Sequence, residues 1–131
     1  MNNTKLYTFF RWMYAIFYIA AGINHFISPE AYRAIMPPYL PAPIMLIYIS
    51  GLAEIGLGVL SLFSPAQKIA NVFIILMLVA FFPAHIYMIQ RAPFVLGTIE
   101  ITPLIAWARI PLQFLLIYWA WFYVSRKIAS A

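Results

Sequence analysis

The sequence predicts an all-α membrane protein: a four-transmembrane-helix, up-down-up-down bundle with proline-rich lid loops on the side opposite the termini. Its 131 residues are 66% hydrophobic and only 8% charged, which leaves too few polar side chains to clothe a soluble surface. Four stretches, near 6–27, 43–63, 68–90 and 103–124, reach the roughly 20 mostly apolar residues that cross a bilayer as a helix. The connections between them are short, so residues 1–131 form a single integral membrane domain with no internal repeat.

The first stretch follows Lys5 and Arg11 and ends at Ser28-Pro29. With Ala20-Ala21-Gly22 as a small-residue exit it also fits a secretory signal, whose apolar core is typically about 7–15 residues. This stretch is longer and interrupted by tyrosines, which favours a membrane span. Tyr7, Arg11, Tyr14, Tyr18, Ala21 and His25 recur at steps of three and four, marking one inward stripe. The linker 28–42 holds Pro29, Pro37, Pro38 and Pro41 with Tyr32 and Tyr39, a composition that predicts an ordered cap.

In the second stretch Ser50, Glu54, Gly58 and Ser61 form a small, polar stripe that lets a neighbouring backbone come close around one acid. Ser64-Pro65 punctuates the next turn. The third stretch carries Pro83 two residues before His85, and the fourth has Pro111 between Arg109 and Gln113. Each proline frees a carbonyl four residues earlier, those of Val79 and Trp107. Broken helices beside buried polar groups are how membrane proteins build binding sites. Between these stretches, Arg91 to Thr102 forms a second lid with Pro93, Gly97 and Thr102 as N-cap before Pro103. Trp107, Trp119 and Trp121 fit an interfacial belt.

The net charge of +5 comes from basic residues scattered singly through apolar sequence, so no nucleic-acid surface is expected. Lys5, Arg11, Lys68, Arg126 and Lys127 fall with the termini and the short second loop, against Arg33, Arg91 and Arg109 opposite. The positive-inside rule then puts both termini in the cytoplasm, as in a bacterial cytoplasmic (inner) membrane. The chain has no cysteine, which removes thiolate metal sites and dithiol redox chemistry.

An ionisable group inside lipid needs a reason and usually a partner. Counted inward from the lid side at 1.5 Å per residue, His25 lies roughly 3 Å deep, His85 and Arg109 about 8 Å, and Glu54 about 16 Å. Matching depths on four alternating helices imply that Asn24, His25, Glu54, His85, Arg109 and Gln113 meet inside the bundle. The plainer readings are a structural Glu54–Arg109 ion pair, a His25 solvated at the interface, a satisfied core His85 and an Arg11 that snorkels to the headgroups.

Ala21-Gly22-Ile23-Asn24-His25-Phe26, then Pro29 and Tyr32, Ile49-Ser50-Gly51-Leu52-Ala53-Glu54, Phe82-Pro83-Ala84-His85-Ile86-Tyr87-Met88 and Arg109-Ile110-Pro111-Leu112-Gln113 follow one another in a familiar order. In this order and spacing the chain resembles the DoxX-like family of small four-helix membrane proteins. The resemblance implies a helical bundle associated with redox or sulfur metabolism, some members being similar to a quinone-reducing subunit. It implies no single activity, because the wider superfamily includes assembly and trafficking factors. Trp12 and Met13 depart from the small residue expected after the arginine, and His85 stands where asparagine is common.

Three functions stay open. Asn24, His25, Glu54, His85, Arg109 and Gln113 would orient the polar head of a small lipophilic, quinone-like ligand while aromatic residues pack its body. A membrane oxidoreductase subunit of this kind would move protons through a histidine or Glu54, and would leave electrons to the ligand or a partner redox subunit. His25, Glu54 and His85 would instead make a two-histidine-one-carboxylate metal site. The third function is a non-catalytic accessory or assembly subunit, whose polar cluster fixes the bundle. No catalytic residue is assigned, and a homo-oligomer is compatible with all three.

Overall fold

The structure, a computed structural model, describes residues 3–96 and 98–125. Helix α1 runs Asn3–Ile27, α2 Pro29–Ala34, α3 Pro43–Leu60, α4 Ser64–Ala80, α5 Phe82–Arg91 and α6 Pro103–Ser125. Strands β1 (Phe94–Leu96) and β2 (Ile99–Ile101) lie between α5 and α6. Four helical stretches are long and apolar enough to cross a membrane: Thr4–Ile27, Pro43–Leu60, Pro65–Arg91 and Pro103–Ser125. Their outward faces expose Ile16, Leu52, Ile69, Phe73, Leu76 and Leu115, a surface suited to lipid and not to water. The protein is membrane-embedded.

Prolines set the boundaries. Pro29, Pro43, Pro65, Pro83 and Pro103 each stand in a first helical turn, where their missing N–H costs nothing. Ser64-Pro65 therefore opens the third span instead of filling a turn, and that span starts before residue 68. Pro83 divides the span into α4 and α5. At the division the Phe81 amide bonds both Met77 O (3.0 Å) and Leu78 O (3.2 Å), a tightened last turn. Pro111, by contrast, is absorbed inside a continuous α6.

Helices α1 and α3 pack closest. Gly22 lies against Gly51, and Gly58 against the Ala15 carbonyl, so the two run antiparallel. A Cβ at Gly22 would sit 2.5 Å from Gly51 O, a distance that only glycine tolerates. Across the bundle Tyr14, Tyr18, Ile74, Leu78, Ala120 and Tyr123 form the main core. Trp119 joins it instead of an interfacial belt, its ring 5.0 Å from that of Tyr14 and its Nε1–H donating to Tyr123 Oη at 3.2 Å. Trp107 and Trp121 do face outward.

Arg11 does not snorkel. Its Nε donates to Ser61 O at 3.1 Å and its Nη2 to Leu62 O, carbonyls just past the end of α3. A cation at a helix C-terminus satisfies orphan acceptors and complements the dipole. Arg11→Met, which keeps the apolar stem, is expected to cost about 1–3 kcal/mol in thermal unfolding; an unchanged midpoint would show the contacts to be incidental.

The segment expected as a second lid loop folds into an antiparallel hairpin, pairing Phe94 with Ile101, Val95 with Glu100 and Leu96 with Ile99. It closes a second small core of Met88, Ile101 and Ala106. Arg91 links the two proline-rich segments: its Nη1 donates to Ala34 O at the end of α2, and its guanidinium lies 4.8 Å from the Phe94 ring centre. Gly97, Arg126 and Lys127, used above for the lid and the orientation, lie outside the described residues.

Candidate ligand-binding site

Glu54 pairs with His25, not with Arg109. His25 Nε2 stands 2.8 Å from Glu54 Oε2 with both side chains buried, so His25 is not a solvated interfacial residue. A count inward from the lid side separates the two only if both helices end level there. Instead α3 begins beyond the end of α1: His25 lies beside Ile47 and Gly51, only about a turn above Glu54. Side chains lean toward the N-terminus of their own helix, so on antiparallel neighbours His25 leans inward and Glu54 leans toward it. The glycine seam supplies the closeness.

The ring is held from two more directions. His25 Nδ1 is 3.0 Å from Ile47 O, and because a carbonyl only accepts, Nδ1 bears hydrogen. The Tyr32 ring stacks on the imidazole with centroids 3.9 Å apart. Asn24 donates its amide to Tyr32 Oη at 2.8 Å; it is exposed and acts on the site through Tyr32. Burial pushes the Tyr32 phenol above its ordinary range, while the Asn24 hydrogen bond pulls it back.

A second polar pair joins the third and fourth spans. Arg109 Nε donates to His85 Nδ1 at 3.3 Å, and Gln113 Nε2 donates to Leu78 O at 2.7 Å. Gln113 thus serves a carbonyl at the α4–α5 division, one residue from the Val79 carbonyl that Pro83 was expected to free. His85 and Gln113 are buried, and Arg109 is half-buried.

Both pairs open onto one cavity of about 410 Å³, within the roughly 300–1,000 Å³ usual for small-molecule sites. His25, Glu54, His85, Arg109 and Gln113 line it, joined by Tyr18, Tyr32 and Ser50. Phe17, Leu46, Phe81 and Leu116 supply apolar wall, and Met36, Pro37 and Leu40 of the proline-rich linker close another side. Five of the six expected residues therefore meet, and Asn24 stands behind them.

The two-histidine-one-carboxylate set is not assembled: among the described residues no three His, Cys, Asp or Glu side chains group as metal ligands. His85 instead receives an arginine N–H, and a guanidinium in contact with the imidazole repels a cation.

A model of the domain of unknown function DUF8561 matches residues 14–124. The chain belongs to that family. The matched stretch contains every cavity-lining residue. No curated protein and no solved structure matches the chain.

A second polar group, not expected from the sequence, lies in the opposite half of the bundle. Tyr14 donates to Asn71 Oδ1, the Asn71 amide donates to Gln67 O at 2.8 Å, and Gln67 Nε2 donates to Tyr7 Oη at 2.9 Å. Asn71 is fully buried. The signal was present: Gln67, Asn71, Ile74 and Leu78 recur at steps of three and four, continuing the buried face of α4.

Proposed function

We propose that this DUF8561 protein binds a small lipophilic ligand of quinone-like size in the cavity between its four spans, the polar head meeting the His25–Glu54 and His85–Arg109 pairs. The single observation that carries the reading is the convergence of both pairs on one cavity whose remaining walls are mostly apolar. The residues of both pairs line space that a ligand can fill.

In this reading the spans cross up-down-up-down, and the linker with α2 and the hairpin roof the cavity opposite the termini. The antiparallel packing of α1 on α3 and the Arg91 link between the two proline-rich segments support it. The likeness to DoxX-like proteins supports a redox-associated role in a bacterial inner membrane with cytoplasmic termini. His25 and Glu54 already share a proton position that a ligand could use, and electrons would be left to a quinone or a partner redox subunit.

Native mass spectrometry of the protein released from mild detergent tests this. The expected mass exceeds that of the denatured chain by a few hundred daltons, and Ala84→Phe, which fills the cavity, removes the excess while circular dichroism stays helical. A folded wild-type protein at its bare chain mass, with lipid extracts giving no binding, supports the accessory-subunit reading instead.

A further inference from the structure

The charge of the cavity follows from hydrogen-bond roles alone. His25 Nδ1 bears hydrogen because Ile47 O can only accept. A 2.8 Å contact between Nε2 and Glu54 Oε2 then requires one proton between them, since two bare lone pairs would repel. Wherever that proton sits, the pair sums to zero. His85 Nδ1 accepts from Arg109 Nε, and an imidazolium has no lone pair to accept with, so His85 is neutral. Arg109 is always ionised. The lining therefore carries one net positive charge.

Nothing among the described residues balances it. The sequence has three acids: Glu54 is taken by His25, Glu30 and Glu100 are exposed, and among the described residues no carboxylate lies within salt-bridge distance of Arg109. A half-buried guanidinium against apolar walls with no counter-charge is costly. Arg109 spends only its Nε on His85, which leaves its other N–H donors for a ligand.

We propose that the occupant is a monoanionic amphiphile whose oxyanion head, of the carboxylate or phosphate class, is bound by Arg109. This rests on the cavity reading above and narrows it: the ligand supplies the one negative charge that the described residues do not. An oxyanion takes parallel N–H donors from a guanidinium, and Phe17, Leu46 and Leu116 receive its apolar body.

The test uses the full chain in phosphatidylcholine nanodiscs, titrated at pH 7 with 3-phenylpropanoate and with the uncharged 3-phenylpropanol. The carboxylate is expected to bind at least ten-fold more tightly. Arg109→Gln should erase the preference while still binding the alcohol, and Arg109→Lys should keep it. Equal binding of both probes by the wild type overturns the monoanion and leaves the cavity reading standing. Binding of neither by a helical protein overturns both. Discs containing phosphatidylglycerol separate the sources of the head: lost carboxylate binding there assigns the site to an acidic lipid, and unchanged binding assigns it to a free acid.

Discussion

Glu54→Ala is expected to cost about 3–5 kcal/mol, the usual penalty for leaving one member of a buried ion pair alone. Both side chains of the pair are only 8% exposed, so water cannot compensate His25, and the Ile47 carbonyl and the Tyr32 ring hold the imidazole in place. Thermal unfolding in detergent measures the loss. The double variant His25→Phe with Glu54→Leu should lose much less than the two single changes added together, because an apolar pair of similar volume leaves nothing unsatisfied. A single change costing under about 1 kcal/mol would show that the pair is hydrated.

Gly22→Val is the other large effect. Its new Cβ would meet Gly51 O at 2.5 Å and Ile55 N at 2.9 Å, both backbone atoms that cannot rotate aside. Helices α1 and α3 must part, at an overpacking cost of about 1–3 kcal/mol. The damage extends to the site, since His25 is one turn from Gly22 and its Cβ lies beside Gly51. Ligand binding should fall with stability. Gly56→Ala is the control, because a Cβ there meets nothing within 4 Å, and it should be neutral or gain up to about 1 kcal/mol. Similar melting points for the two variants would mean that the seam is looser than its geometry.

Much of this arrangement was legible in the sequence. Twenty-odd apolar residues have one cheap conformation in lipid, so the four spans were secure, and the cost of intramembrane polar groups pointed to Glu54, His85, Arg109 and Gln113. Partner choice was not legible. It depends on how far α3 extends past α1, and a residue count from each helix end cannot register that overhang. Asn71 was missed because it lies only a few residues from the start of the third stretch as first drawn, where a polar side chain reads as interfacial. The hairpin was missed because Pro93 and Gly97 suggested a loop, although Phe94-Val95-Leu96 and Ile99-Glu100-Ile101 flank the two-residue Gly97-Thr98 in a hairpin pattern.

The two polar pairs also divide along the order of synthesis. His25 is on the first span and Glu54 on the second; His85 is on the third and Arg109 on the fourth. As the chain leaves the ribosome, each imidazole is already made when the charged residue that needs it emerges one helix later. An arginine or a carboxylate entering the bilayer alone would face roughly 2.5–3.5 kcal/mol at the centre of a helix. Delivered as two helical hairpins, each with its own acceptor or donor built in, the chain meets that barrier with a hydrogen-bonding partner at hand. The later joining of the hairpins then packs Tyr14 and Tyr18 against Ile74, Leu78 and Tyr123 and closes the cavity between them.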